Sequence, residues 1–404
     1  MSISELIKAC EEDCAPIFRK LDAIEQINTQ KVLDAFREER VSARHFAPTT
    51  GYGYDDIGRD TLGRIFAKVF RTEDAIVRPQ ITCGTHALAL CLYGVLRPGD
   101  AMIAATGKPY DTLEEVIGLA GTPGRGSLAE YGIQYKQVEL KDDFPDIDGI
   151  LAAIDPSVKL VAIQRSRGYA WRASLGVDDI DKVTAAIHEK HPNVCVMVDN
   201  CYGEFTDDRE PNADLLAGSL IKNPGGGIAP TGGYIAGKSK WLDLVSCRLT
   251  CPGIAAEVGS YADSYRPFYQ GLFMAPHTTM QAVKTAVLAA RVFEEMGFRV
   301  HPKFDASRTD IIQAIRFDDR DKMLSFCKAL QAASPVDSNA VPEPWDMPGY
   351  QDPVIMAAGT FVSGASIELS ADGPVKPPYI LYMQGGLTYV HGKIAIERAA
   401  EAIR

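Results

Sequence analysis

Two residues of this chain have the types and positions of a covalent catalyst and its electrostatic partner. Lys222 lies in SLIKNPGGGIAPTGGYIAG, between an apolar run and a glycine-dense segment. Asp199 closes the apolar run VCVMVDN upstream of it. Taken singly, neither is diagnostic. A lysine there can be an ordinary loop residue. An acid at a strand's carboxyl edge can bind a metal, act as a base, pair with a buried cation or cap a helix. A third feature narrows the choice. TCGTHALAL puts Gly84 and Thr85 between a strand and a helix. Free N–H groups, a positive helix end and a hydroxyl there make an anion site, or simply an N-cap turn. Amine, acid and anion cradle are the three things pyridoxal phosphate needs: a Schiff-base lysine, an acid that keeps the pyridine nitrogen protonated, and a phosphate site. The glycines follow Lys222, the reverse of a Walker-type loop. No G-x-G-x-x-G opens the first helix, which speaks against a dinucleotide site.

One more motif sits where chemistry could occur. QRSRGYAWR supplies Gln164, Arg165, Ser166 and Arg167 directly after the run VKLVAI. It reads either as a surface charge run or as part of a pocket at a sheet's carboxyl edge.

The elements that must position these residues follow from periodicity. From about residue 75, short β-rich runs (AIVRPQIT, DAMIAAT, IQYKQVEL, VKLVAIQ, VCVMVDN, GSLIKN, GGYIAG) alternate with helical runs. That alternation implies an α/β unit with a mostly parallel sheet covered on both faces. Ligands of such sheets bind beyond the strands' carboxyl ends. The spacing predicts a helical segment within residues 1–50, a large α/β domain over 51–285 and a smaller α+β domain over 286–404. The chain has 404 residues, 46% of them hydrophobic and 24% charged, enough for two globular cores. A net charge of −11 argues against nucleic acid or an anionic membrane as partner. The nine cysteines form no C-x-x-C pair, and Cys10/Cys14 and Cys247/Cys251 have no histidine cluster nearby, so no metal site is expected. The N-terminus lacks signal-peptide order. No apolar run approaches the roughly 20 residues of a membrane helix. The expectation is a cytoplasmic protein.

The segments GYGYDDIGRDTL, CGTHAL, PYDTLEEVIG, QRSRGYAWR, VDNCYGEF, SLIKNPGGGIAPTGGYIAG and YMQGGLTYVHGK resemble the methionine gamma-lyase-like, aluminium-resistance-associated carbon–sulfur lyases. These are fold-type-I pyridoxal phosphate proteins related to cystathionine beta-lyase. The resemblance runs from about residue 50 to the C-terminus and implies that fold, with a seven-stranded sheet in the large domain. It implies Lys222 as the Schiff-base lysine, Asp199 as the pyridinium partner, and Gly84, Thr85 and Ser219 as phosphate contacts. It implies Tyr110 stacked on the ring and able to pass a proton, and Gln164 near the cofactor. Arg165 and Arg167 would serve the substrate carboxylate. Tyr54 and Arg59 lie in a segment that, in related enzymes, reaches a neighbouring subunit's cofactor. A homodimer or homotetramer with shared sites is therefore implied. Two departures stand out. Ile221 replaces a threonine common before the lysine, and Lys376 stands at or near an arginine that would clamp the substrate carboxylate. Lysine gives a point charge where arginine gives a fork. The implied reaction is β- or γ-elimination from a sulfur amino acid, with Lys222 as base and its pKa lowered by its surroundings. Transamination, other amino-acid carbanion chemistry and a weakly catalytic regulatory protein use the same residues and stay open.

Overall fold

The computed structural model describes residues 2–347 and 352–404. Among them, seven strands make the larger sheet. They are β1 (Asp74–Arg78), β2 (Ala101–Ala104), β3 (Gln134–Gln137), β4 (Val158–Gln164), β5 (Cys195–Asp199), β6 (Leu215–Ser219) and β7 (Gly233–Gly237). Their order is β1-β7-β6-β5-β4-β2-β3, and only β7 runs against the others. The central strands are buried on both faces, which is why they read as nearly unbroken Val/Ile/Leu runs. The alternation of runs in the sequence thus yields the sheet it implied. One run ends early. GSLIKN does not continue as a strand, because β6 stops at Ser219 and Lys222 opens a single 3-10 turn, Asn223–Gly225. Pro224 within that turn has no N–H to extend a ladder.

A smaller antiparallel sheet is built later in the chain. Its strands are β8 (Arg299–His301), β9 (Ile312–Arg316), β10 (Val354–Ala357), β11 (Ser370–Pro374) and β12 (Ile380–Gln384), in the order β8-β9-β12-β11-β10. One face packs Ile315, Ala371, Leu381 and Met383 with the helices Arg320–Ala332 and Tyr389–Ala402. The opposite face carries Ile312, Ala314 and Tyr382 and looks toward the large sheet's loops, where Tyr169 and Tyr202 meet it.

Two long helices tie the sheets together. The helix Ile3–Glu38 begins with a capping box between Ser2 and Glu5. Its Ile3, Leu6, Ile7 and Cys10 join the small sheet's core, whereas Val32 and Ala35 join the large one. The helix Arg266–Glu295 does the same in reverse, with Leu272 and Ala275 in the large core and Leu288, Ala289, Ala290, Val292 and Phe293 in the small. The 285/286 division therefore falls inside a continuous helix. Among the described residues no helix is long and apolar enough to cross a membrane.

Candidate active site

Three parallel strands deliver their last residues to one edge. In register, Gln164 of β4 faces Asp199 of β5, and Asp199 faces Ala217 of β6, two residues before Ser219. Asp199 Oδ1 accepts the Cys201 N–H at 3.1 Å. Burial pushes the Asp199 carboxyl up, and the Lys222 charge and the Cys201 N–H pull it back. Lys222 Nζ lies 4.0 Å from the Tyr202 ring centroid. The next residue fastens the lysine's turn. Asn223 Nδ2 donates to the carbonyls of Tyr202 and Glu204, both at 3.0 Å, tying it to the loop that follows Asp199.

The lysine's charge is not weakened by this setting. Burial opposes it, but Cys201, Tyr202, Asp199 and Glu204 outweigh burial and hold the amine above the usual lysine range. Of these, Glu204 is fully buried and accepts the Tyr234 hydroxyl at 2.7 Å. Burial, helped by nearby Glu210, pushes its own carboxyl up to about 8.

The glycines after Lys222 answer to packing. A Cβ on Gly225 would lie 1.7 Å from the Leu220 carbonyl oxygen. At Gly226, where φ is +56°, a Cβ would lie 2.4 Å from the Gly271 oxygen. They let the lysine's turn press against the helix Arg266–Glu295.

A cavity of about 290 Å³ opens in front of this edge. The helix Gly84–Val95 points its N-terminus into it, with Cys83 as cap and Cys83 Sγ accepting the His86 N–H at 3.4 Å. The first amides of a helix lack intrahelical acceptors. Thr85 Oγ1 sits 2.8 Å from Thr112 Oγ1. A Cβ on Gly84 would come within 3.3 Å of Cys201 Sγ and 3.5 Å of Ser219 Cβ, narrowing this hollow. Tyr110 caps the helix Asp111–Ile117 and lines the same space, as do Ser219 and Ile221. A side lobe of about 40 Å³ adds Gln164, Ser166, Gly168 and Tyr169. The small sheet supplies the remaining wall with Ser370, Asp372 and Gln384, and Tyr382 enters the side lobe. A larger cleft of about 520 Å³, with Arg97 and Arg248 among its lining, shares no residue with this site.

The donor set fits pyridoxal phosphate: a half-buried amine, a half-buried carboxylate at a strand end, and a hollow at a helix N-terminus edged by three hydroxyls. Comparison with known proteins agrees. The family model for methionine gamma-lyase matches residues 3–404. The chain belongs to the methionine gamma-lyase family. An uncharacterised Bacillus subtilis protein is 53% identical over 397 residues, covering 97% of this chain and 94% of its own length. A Clostridium novyi protein described as a carbon–sulfur lyase involved in aluminium resistance is 50% identical, with a TM-score of 0.96 over 100% of this chain and 96% of that one. A Listeria monocytogenes protein, provisionally named a cystathionine beta-lyase involved in aluminium resistance, is 51% identical. Its TM-score is 0.97 over 99% of this chain and 100% of that one. The architecture is the fold-type-I arrangement of pyridoxal-phosphate lyases.

Membership in the methionine gamma-lyase family does not bring every implied residue to the cavity. Gly84, Thr85, Tyr110, Gln164, Asp199, Ser219 and Lys222 line it. Arg165 and Arg167 do not. In QRSR the alternate residues Gln164 and Ser166 face the side lobe, while both arginines turn into the protein. Arg165 is 0% exposed and donates to Asn200 Oδ1 at 2.8 Å, Glu210 Oε2 at 3.1 Å and Thr206 Oγ1 at 3.3 Å. Arg167 donates to the His301 carbonyl at 2.8 Å. Lys376 stands outside and pairs with Asp352 at 2.6 Å. It lines neither the cavity nor its side lobe, although its charge reaches Asp111, the residue after Tyr110. Tyr54 is exposed and stacks on Tyr52, with ring centroids 5.4 Å apart. Arg59 is buried and holds the Gly53 carbonyl at 2.8 Å and Asp60 at 2.7 Å. Neither lines this cavity.

Several lining residues went unforeseen: Cys201, Tyr202, Thr112, Ser370, Asp372 and Gln384. Cys201 and Tyr202 were legible in VDNCYGEF as neighbours of Asp199. The strand residues gave one weak signal, a polar residue at every second position of SADG.

Proposed function

We propose that this protein is a pyridoxal-phosphate-dependent carbon–sulfur lyase that eliminates a sulfur leaving group from Cβ or Cγ of an amino acid. The observation that carries the reading is the Lys222 amine, held among acidic groups beside Asp199 and opposite a helix N-terminus. Its relatives are named as carbon–sulfur and cystathionine beta-lyases, which fits.

Lys222 would hold the cofactor, Asp199 the proton of its pyridine nitrogen, and Ser219, Thr85, Thr112 and the Gly84–Thr85 amides its phosphate. When bound, pyridoxal phosphate supplies an electron sink for the charge left at Cα after proton loss. Among the described residues Lys222 Nζ is the one amine lining the cavity, and once released from its attachment it would accept the Cα proton. The Asp199 carboxylate is steadied by the Cys201 N–H. Tyr110, at the start of its helix, can give a proton to the departing sulfur. Ile221 supplies no hydroxyl, and the Thr85–Thr112 pair is the substitute donor. We assign the exposed Tyr52–Tyr54 pair to the cavity of a second subunit in a homodimer.

The test is a product screen. Protein reconstituted with pyridoxal phosphate is incubated with cysteine- and homocysteine-derived thioethers and read by mass spectrometry. The expected products are a thiol, a 2-oxo acid and ammonia. Amino-group exchange without thiol would replace the reading by aminotransfer, and absence of a visible cofactor band after reconstitution would overturn it.

A further inference from the structure

Three buried arginines gather where the two sheets meet, away from the Lys222 cavity. Arg167 and Arg172 follow β4, and Arg308 lies between β8 and β9. They are 2%, 8% and 8% exposed. Their grip is on backbone. Arg167 Nη1 donates to the His301 carbonyl at 2.8 Å, and Arg308 Nη2 to the Lys303 carbonyl at 3.3 Å. Between them, Gln313 donates to the Pro302 carbonyl at 3.1 Å and accepts Arg308 Nη1 at 2.8 Å. The carbonyls of three consecutive residues, 301 to 303, are thus held from one cluster. Arg172 turns back on its own loop, donating to the carbonyls of Ser166 at 2.6 Å, Ala173 at 2.7 Å and Gln164 at 3.3 Å.

Carbonyls satisfy donors but do not neutralise charge. Arg165 pairs with Glu210, whereas among the described residues none of these three arginines forms an ion pair. Asp310 is the buried acid whose charge reaches all three. Its oxygens, however, accept the Ser174 hydroxyl and the Ile312 N–H, the latter at 3.0 Å. Asp143 reaches Arg167 and Arg172 only from an exposed hairpin. Burial pulls Arg172 down to about 10 and Arg308 to about 9, with the Arg167 charge adding to both and Asp310 opposing. All three stay charged at neutral pH, so three buried cations face one buried carboxylate.

Donors are left over as well. Arg167 Nε, Arg308 Nε and His301 Nδ1 are buried and have no hydrogen-bond partner. Buried polar groups are nearly always bonded, and buried charges paired. Burial, with the Arg167 and Arg308 charges, pushes the His301 pKa down against Asp143 and Asp310, so its ring is neutral and can turn one N–H to a ligand. In Arg308 both Nη groups are already engaged, which leaves a single N–H rather than the paired fork that a carboxylate or phosphate takes.

We propose that Arg167, Arg308 and His301 bind a small inorganic anion of the halide class, buried between the loop after β4 and the turn after β8, with Arg172 adding its charge. The unpartnered donors supply its hydrogen bonds and the uncompensated guanidiniums its affinity. Bound there, it ties the loop that carries Ser166 to the small sheet. This site is independent of the lyase reading.

Chloride is the probe. Protein reconstituted with pyridoxal phosphate is used, so that the cofactor's own phosphate fills the hollow at the helix N-terminus. Chloride is exchanged for gluconate at constant ionic strength, which holds screening fixed, and the thermal midpoint is followed. A ligand of the folded state stabilises by mass action, so the midpoint should climb by about 3 °C for each hundredfold of chloride above its Kd. Arg308→Gln should flatten that slope. Arg320→Gln, at an exposed arginine outside the cluster, should keep it. Bromide exchanged into crystals should give an anomalous peak in contact with Arg167 Nε and Arg308 Nε. A midpoint indifferent to chloride overturns the proposal, and so does a slope that survives in Arg308→Gln. A bromide peak at the cluster without a chloride slope marks an adventitious ion only and overturns it too. A slope with bromide bound elsewhere moves the anion to another site and removes this one. If Arg308→Gln does not fold, the wild-type slope and the position of the bromide peak decide together.

Discussion

The cavity's two walls are built differently. The large sheet contributes strand ends: Gln164, Asp199 and Ser219 are the last residues of β4, β5 and β6, and Lys222 follows in the next turn. The small sheet contributes a strand face: Ser370, Asp372, Gln384 and Tyr382 stand on β11 and β12 between apolar neighbours that fill the core behind. Strand ends of a parallel sheet converge on one point, which suits the reacting atoms. A sheet face is a broad surface, which suits reading the rest of a substrate. The first wall should therefore govern whether any reaction occurs, and the second which substrate is taken.

The sharpest way to break that comparison is at Lys222. Lys222→Ala should abolish the visible cofactor band and lower turnover of every substrate alike. The loss of the base alone is worth roughly 10²- to 10⁴-fold, with loss of covalent attachment added. A variant that keeps the band, or slows one substrate far more than another, would move the lysine from the reacting wall's role to that of the wall opposite.

The same contrast decides what could be read from the sequence. Residues at strand ends announce themselves, because an apolar run stops abruptly at an acid, a serine or a glutamine. Asp199, Ser219 and Gln164 were legible for that reason, and so was the sheet itself. Asp372 was not. A polar residue at every second position of a half-buried strand is the ordinary solvent-facing pattern, and nothing local says that this face meets a cavity. Arg165 and Arg167 misled for a related reason. Directly after a strand end, one residue's shift decides whether a side chain enters the pocket or the interior. Gln164 and Ser166 took the pocket positions. The sequence also hid the crowding around Lys222, since Tyr202, Glu204 and Asp199 gather only when the loop after β5 folds back onto the lysine's turn.

Arg165 gives the next largest effect, and it should fall on stability. Its guanidinium is wholly buried and bonded to Glu210, Asn200 and Thr206. Arg165→Ala leaves the Glu210 carboxylate uncompensated in the interior, a loss of about 3–5 kcal/mol when one partner of a buried pair is removed. The denaturant midpoint should drop accordingly, while the folded fraction keeps its KM. An unchanged midpoint with a raised KM would return Arg165 to substrate binding.

Lys376 is the smallest case and separates rim from wall most finely. The backbone turns sharply there: its N–H donates to the Pro374 carbonyl at 2.9 Å and its own carbonyl accepts the Tyr379 N–H at 2.7 Å. Its side chain, 55% exposed, reaches Asp352 in the solvent. Exposed pairs of this kind are worth about 0–1 kcal/mol, and salt screens them. Lys376→Ala should therefore change stability by no more than that, and KM by less than about twofold at physiological salt. A tenfold rise in KM, absent at high salt, would show that a rim charge steers the substrate carboxylate after all. A tenfold rise that persists at high salt would place the ammonium inside the cavity in the working enzyme.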